Sequence, residues 1–262
     1  MPTLPSHQHR KMAEGFGVDP DRYDRTRPHY PDELVNRIIS TSPGRAVLDV
    51  GCGTGIVARQ FRDAGCTVLG VEPDARMAAF ARSTGIDVEV STLEEWSSDG
   101  RLFDVVVAGM TWHWVDPVAG SAKVASVLRP GGRVAVFWHA FEMPAAVAAA
   151  LADAFAQVLP DAPVKMGTTQ GVALYQPGLD KALDGFRSEG GFADFDQWRF
   201  DWDRVYTKDE WLDQIPTQGT MTSLPAEKLD QILSTVGAAI DELGGSFTMK
   251  YSTVAATAVR SG

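Results

Sequence analysis

Cysteine is nearly absent: the 262 residues hold only Cys52 and Cys66. Two thiols in one short region frame neither a disulfide scaffold nor a zinc site, so a reducing, cytoplasmic setting and no bound metal are expected. Long apolar runs are missing too. The most apolar helical stretch, Ala145 to Val158, carries Asp153 and is shorter than the roughly 20 residues that span a bilayer. The opening MPTLPSHQHRKM has no apolar signal core, and its His7 and His9 read as a frayed polar tail rather than a metal site. No membrane association is expected. Basic residues are outnumbered, 24 Lys and Arg against 34 Asp and Glu, for a net charge of −10. That balance disfavours a nucleic-acid partner, whose phosphates are gripped by many cationic side chains. No G-x-S-x-G elbow is present, which removes one common hydrolase chemistry.

The remaining composition, 44% hydrophobic and 22% charged, is that of a globular protein. From about residue 45 to 139 short apolar runs alternate with amphipathic ones, the pattern of a parallel sheet with crossover helices. Strands are expected at Ala46 to Val50, Thr67 to Val71, Asp87 to Val90, Phe103 to Ala108 and Arg133 to Trp138. The spacing predicts helices at Gly55 to Ala64, Asp74 to Thr84 and Val118 to Leu128, with Pro130-Gly131-Gly132 as a stop and turn. A polar segment, Tyr23 to Tyr30, precedes a helix from Pro31 to Ile39. Beyond the alternating unit come the Ala-rich helix, a Pro- and Gly-rich loop from Pro160 to Gly178, a helix from Ala226 to Leu243 and a strand from Phe247 to Ala258. Between them, residues 195–206 alternate so that Trp198, Phe200, Trp202 and Tyr206 share one face. That stripe reads first as core beneath a helix and second, with Phe141 and Trp211, as the roof of an apolar pocket. Three regions are expected: 1–42 as an N-terminal helical cover, 43–140 as a ligand-binding core, and 141–262 as a C-terminal part with insertions and the last two strands.

The chemistry concentrates in VLDVGCGTG, residues 47–55. A strand, a glycine turn and a helix form the opening unit of nucleotide-binding α/β folds. A dinucleotide fingerprint would place its third glycine at position 56, but Ile56 stands there and the glycines fall at 51, 53 and 55. Asp49 precedes them. A carboxylate repels a phosphate and attracts an ammonium, which points away from a nicotinamide dinucleotide. Glu72, at the end of the second expected strand, is placed to accept hydrogen bonds from a ribose diol; its other reading is an acid favoured by the following helix's dipole.

Taken together, VLDVGCGTG, VEPD, FDVVVAGMTWHWVDP and LRPGGRV resemble in order and spacing the motifs of class I S-adenosylmethionine-dependent methyltransferases. The resemblance is to the small-molecule subgroup that includes ubiquinone-biosynthesis-like and trans-aconitate-like enzymes. It implies a Rossmann-like α/β fold, a seven-stranded mostly parallel sheet with helices on both faces and an antiparallel last strand. It implies S-adenosyl-L-methionine as cofactor, with its methionine part over Gly51, Gly53 and Gly55 near Asp49, its ribose on Glu72, and its adenine beside Pro73 or Asp74. Thr92 stands where many relatives have an adenine-binding acid, so the backbone of Thr92 and Leu93 is expected to serve, with Glu94 as second choice. Ala108, Gly109 and Met110 are expected beneath the cofactor. RYDRTRPHYP is similar to the family's YD-x-x-RP-x-YP segment, which implies that Arg27 meets the cofactor carboxylate and that Tyr23 and Tyr30 cover it. An ordinary helix-entry turn is the competing reading of that segment.

Two histidines fall after expected strands, His113 and His139. Either could act as a general base, although a packed or capping role is the stronger reading for His113 between its tryptophans. Methyl transfer to an already nucleophilic acceptor needs no base at all. The Asn/Asp-Pro-Pro-aromatic motif of many amino-methylating enzymes is replaced by Gly109-Met110-Thr111-Trp112, which favours a small-molecule acceptor. A methyltransferase acting as a monomer or homodimer is therefore expected. The alternatives are a noncatalytic S-adenosylmethionine-binding regulator and, third, a nicotinamide-dependent oxidoreductase.

Overall fold

A computed structural model of the chain describes residues 14–160 and 170–262. His7, His9 and residues 161–169 of the expected loop lie outside the described residues.

Five parallel strands build one half of the sheet: β1 (Ala46–Val50), β2 (Thr67–Val71), β3 (Asp87–Glu89), β4 (Phe103–Gly109) and β5 (Leu128–Glu142). Strands buried on both faces read as near-continuous apolar runs, and β1 and β4 do so apart from Asp49 and Asp104. Two longer strands, β6 (Phe192–Thr207) and β7 (Ser246–Arg260), complete the order β3-β2-β1-β4-β5-β7-β6. β7 is antiparallel to both its neighbours. The expected sheet and its reversed last strand are therefore observed. Pro130-Gly131-Gly132 does turn the chain, but inside β5, where the pairing with β4 slips between Phe103 and Val105.

Nine helices are found among the described residues: α1 (Pro20–Thr26), α2 (Asp32–Ser40), α3 (Ile56–Asp63), α4 (Ala75–Ser83), α5 (Pro117–Val127), α6 (Ala145–Val158), α7 (Val172–Glu189), α8 (Lys208–Gln214) and α9 (Ala226–Glu242). Two depart from expectation. The polar segment after Asp19 is helical as α1, because the Asp19 carboxylate accepts the Arg22 N–H as its cap. The Pro- and Gly-rich stretch expected as loop to Gly178 is already helix from Val172, with Pro177 inside it. Pro177 lacks the N–H that would reach the Ala173 carbonyl. Burial of Leu179, Ala182, Leu183 and Phe186 beside the sheet outweighs that loss. None of the described helices is long and apolar enough to cross a membrane.

The chain winds outward from β1 through β2 to β3, then returns to place β4 on the other flank of β1. The order reverses between β1 and β4, and in open α/β sheets ligands bind outside the strand carboxyl ends at that point. There Gly51 adopts φ +60° and Gly53 φ +56°, conformations that cost an L-residue about 1–2 kcal/mol. At Gly51 an added Cβ would also collide with the Thr111 side chain, whereas at Gly53 it would meet only Met77 Cε at 3.7 Å. Gly53→Ala should therefore cost about 1–2 kcal/mol in urea unfolding, and Gly51→Ala distinctly more. Thr111→Ala should recover part of the excess. Equal costs for the two alanines would refute the collision.

Candidate active site

A cavity of about 360 Å³ opens at the switch point, lined from the turn after β1, the ends of β2, β4 and β5, and the covering segments around α1, α7 and α8. The cover is fastened to the glycine turn. Arg59 of α3 bonds Asp24 of α1 at 2.6 Å and the Thr54 carbonyl at 2.8 Å, while the Gln60 amide holds both backbone groups of Tyr30. From the far side, Arg22 and Arg25 of α1 both bind Asp213 of α8.

One end of the cavity is acidic. Asp49 is buried, and its Oδ2 has no partner. Burial pushes its carboxyl well above the usual range, the neighbouring Glu72 adds to the rise, and the Ala58 backbone amide opposes it. Glu72 accepts the Gly53 N–H and the Asp74 N–H, one on each oxygen, both at 2.9 Å. Burial raises its pKa against those two bonds. A carboxylate has about four lone-pair sites, so Glu72 retains roughly two for a ligand. The helix-dipole reading of Glu72 fares worse, since Asp74 is the side chain that caps α4, accepting the Arg76 N–H.

Of the other expected residues, Tyr23, Arg27, Tyr30, Gly51, Gly53, Pro73 and Met110 also line the cavity. Gly55 instead takes a left-handed conformation at the start of α3. Met110 sits at φ 55°, an uncommon conformation for a side chain, held by its N–H to the Phe137 carbonyl and by the His139 N–H on its sulfur. Three of the expected residues stand off the cavity. Ala108 is enclosed in the sheet core with Trp112 and Trp138, because it lies within β4 rather than past its end. Leu93 is buried in the same core. Thr92 closes a tight turn, accepting the Glu95 N–H on Oγ1 and the Trp96 N–H on its carbonyl. None of the three lines the cavity, and Glu94 is engaged with the Asp116 N–H.

The aromatic stripe on β6 is chiefly core. Trp198 lies beneath the guanidinium groups of Arg37 and Arg133, Trp202 stacks on Tyr251, and Tyr206 packs against Trp211. The cavity wall is supplied instead by Phe141, Tyr175, Trp211 and Tyr251, with Gln214 and Gln218. Tyr175 went unassigned because its segment reads as loop. The α8 residues Trp211 and Gln214 stand one turn apart; Trp211 packs against Tyr206 and Phe247, and Arg22 and Arg25 tie the helix to α1 through Asp213.

Both histidines line the cavity. The Trp138 indole can only donate, so His113 Nδ1 accepts at 3.3 Å and the hydrogen belongs on Nε2. His139 Nδ1 lies 3.0 Å from Thr253 Oγ1, which itself accepts from the Trp202 indole at 2.9 Å. Giving the Thr253 proton a partner assigns it to His139 Nδ1, again leaving hydrogen on Nε2. Burial lowers His113 from 6.5 to about 4. His139 falls to about 3 through burial and then the charge of Arg27, with the Pro28 carbonyl opposing. His139 Nε2 is buried and makes no hydrogen bond within the described residues. In this arrangement neither ring offers a free lone pair, so neither is built as a base. Depressed histidines cost the fold stability as pH falls below 6.5 toward 4 and 3, since the unfolded chain takes up protons the folded one refuses. The melting temperature of His139→Gln should accordingly fall less steeply than the parent's between about pH 6.5 and 4. Parallel curves would show that His139 is not held neutral.

The family model described as a methyltransferase domain matches residues 23–243. An uncharacterized methyltransferase of Mycobacterium bovis is 36% identical over 135 residues, 50% of this chain and 54% of the relative. A ubiquinone biosynthesis O-methyltransferase of Bradyrhizobium is also 36% identical over 135 residues, 48% of this chain and 53% of that one. The chain thus spans about half the length of the curated relatives it matches. Among solved structures, one assigned to a type II methyltransferase of Anaeromyxobacter dehalogenans superposes with TM-score 0.63 at 19% identity, covering 88% of this chain and 97% of the other. The Haemonchus contortus phosphoethanolamine N-methyltransferase 2, in complex with S-adenosyl-L-methionine, gives TM-score 0.54 at 15% identity over 100% of this chain and 61% of that one. These structural likenesses establish the fold.

Proposed function

The chain belongs to the methyltransferase-domain family, and from that premise we propose that it binds S-adenosylmethionine beside the glycine turn and transfers the methyl group to a small-molecule acceptor. The observation that carries the reading is the buried, unpartnered Oδ2 of Asp49 next to Glu72 beside a turn with glycine at positions 51, 53 and 55. Such a pair suits a ligand that brings an ammonium and a diol, and a phosphate would be repelled. Asp49 would hold the ammonium, the free lone pairs of Glu72 would take the ribose hydroxyls, and Pro73 would border the base. Bound there, the cofactor supplies a methyl group activated by a sulfonium.

The protein's own contribution is positioning and exclusion of water. Tyr30 and Met110 line the cavity, together with Tyr175 of α7 and Trp211 of α8. With each imidazole hydrogen-bonded at Nδ1, neither is arranged to take a proton from the acceptor, so the reading favours an acceptor that is already nucleophilic. A cavity of about 360 Å³ and the net charge of −10 support a small acceptor rather than a nucleic acid. The ubiquinone O-methyltransferase among the relatives is consistent with that class.

Calorimetry tests the reading directly: S-adenosylmethionine should bind and NADH should not, and the reverse result would overturn it. Asp49→Asn and Glu72→Gln should each weaken cofactor binding by about 1–3 kcal/mol through lost charge-assisted hydrogen bonds. Asp49→Asn should at the same time raise the melting temperature of the unliganded protein. A raised carboxyl pKa means that stability declines as pH climbs from the unfolded value of 3.8 through the folded one. Removing the charge removes that decline.

A further inference from the structure

We propose that β6 pairs with β6 of a second copy of this chain, antiparallel and about a two-fold axis at Phe200, so that the two sheets run on as one. β6 is the last strand in the sheet order, pairs with β7 on one side, and runs for 16 residues where about five or six are usual. Backbone N–H groups alternate sides along a strand. The Gln197 N–H bonds the Asp196 carboxylate at 2.8 Å, which puts the backbone groups of Arg199, Asp201 and Asp203 on the same outer edge. Counting across from β5 agrees. Phe137 and His139 point their backbone groups at Met110, so β7 turns Thr253 and Ala255, the partners of Phe200 and Trp198, toward β6. The side chains of Arg199, Asp201 and Asp203 are exposed. Long free edges are commonly blunted with lysine or proline, and β6 contains neither.

Charges on an edge repel another copy only where like signs meet, and here opposite signs do. The regular part of β6 begins at Asp196, where the slip in its pairing with β7 ends, and Phe200 is the midpoint between Asp196 and Arg204. With the axis there, outward backbone faces outward backbone, and each residue stands opposite the one equally far beyond Phe200. Arg199 then meets Asp201 and Asp196 meets Arg204, each pair formed twice by symmetry, with no like charges opposed. Trp198 meets Trp202 on the other face. Moving the axis by one residue sets Arg199 against Arg199 or Asp201 against Asp201, so the charges select one register. Within a single chain Arg199 already bonds Asp201 at 2.7 Å, both exposed. An exposed pair contributes little, so exchanging it for the same pair across the axis costs little. Asp196 also bonds the Trp198 indole and lies 3.7 Å from Arg37. No residue of β6 lines the cavity, and the pairing is therefore independent of the methyl-transfer reading.

Sedimentation equilibrium of the full chain tests the pairing. At micromolar concentration the parent should have twice the mass of one chain, and a monomer there would overturn the proposal. Arg199→Asp and Asp201→Arg each oppose like charges across the axis and should raise the dissociation constant of the dimer about tenfold or more. Mixed in equal amounts, the two variants should pair with each other about as tightly as the parent does with itself, because the two acids of one face the two arginines of the other. Misfolding of either variant cannot produce that recovery. A mixture that stays monomeric, or single variants that dimerise like the parent, would overturn the register. The parent alone supplies a second measurement. The N–H groups of Arg199, Asp201 and Asp203 should exchange with deuterium about tenfold more slowly in the concentrated protein than after dilution to the monomer. Equal exchange in the two would place any interface elsewhere and overturn the proposal.

Discussion

Two buried carboxylates with no cation beside them are the constraint around which this molecule is arranged. Asp49 and Glu72 lie at the carboxyl ends of adjacent parallel strands, each desolvated, and the Glu72 charge makes Asp49 harder still to ionise. Left alone, such a pair opposes folding, because buried charge is costly until something pairs with it. The glycine turn turns that cost into binding capacity. Its backbone amide at Gly53 supports Glu72, and Asp49, whose Oδ2 is buried without a partner, is among the residues that line the cavity beside it.

The covering wall needs a different kind of construction. Arg27, Trp211 and Gln214 come from segments nearly 200 positions apart, and no strand carries them. They are brought together because two arginines of α1 share Asp213 on α8, and because α8 is itself set by a capping box in which Thr207 and Glu210 satisfy each other's backbone. Surface ion pairs of this kind contribute little stability singly. Here their consequence is positional, since they fix which side chains close the cavity. The histidines belong to this wall as well. Their Nδ1 atoms are occupied by indole and hydroxyl donors, so the rings serve as neutral, oriented surfaces and not as titrating groups near neutrality.

Some parts of this were legible in the residue string and others were not. Parallel strands buried on both faces leave a dense apolar signature, so β1 and β2 could be bounded from sequence, and glycines needed at positive φ marked the turn between β1 and α3. Thr92, Leu93 and Ala108 do not line the cavity, since counting along a motif gives position on the chain but not what surrounds a residue there. A residue before the end of β4 is enclosed in the sheet, and one in the turn after β3 spends its polar groups on its own backbone. The first turn of α7 was hidden by Pro177 and its neighbouring glycines, whose local preference lost to apolar burial further along the helix. With that turn went Tyr175.

The sequence by itself determined the sheet, the glycine turn, and the pair of acids that distinguishes an ammonium-bearing ligand from a dinucleotide. These are local facts, set by strand pattern, by the backbone freedom of glycine and by the sign of a charge two residues away. Only the tertiary structure decided what faces them. Whether a tryptophan is core or wall, whether an arginine is paired, and which nitrogen of a histidine is occupied all depend on contacts between segments far apart in the chain. Those contacts set the hydrogen-bond inventory of the cavity.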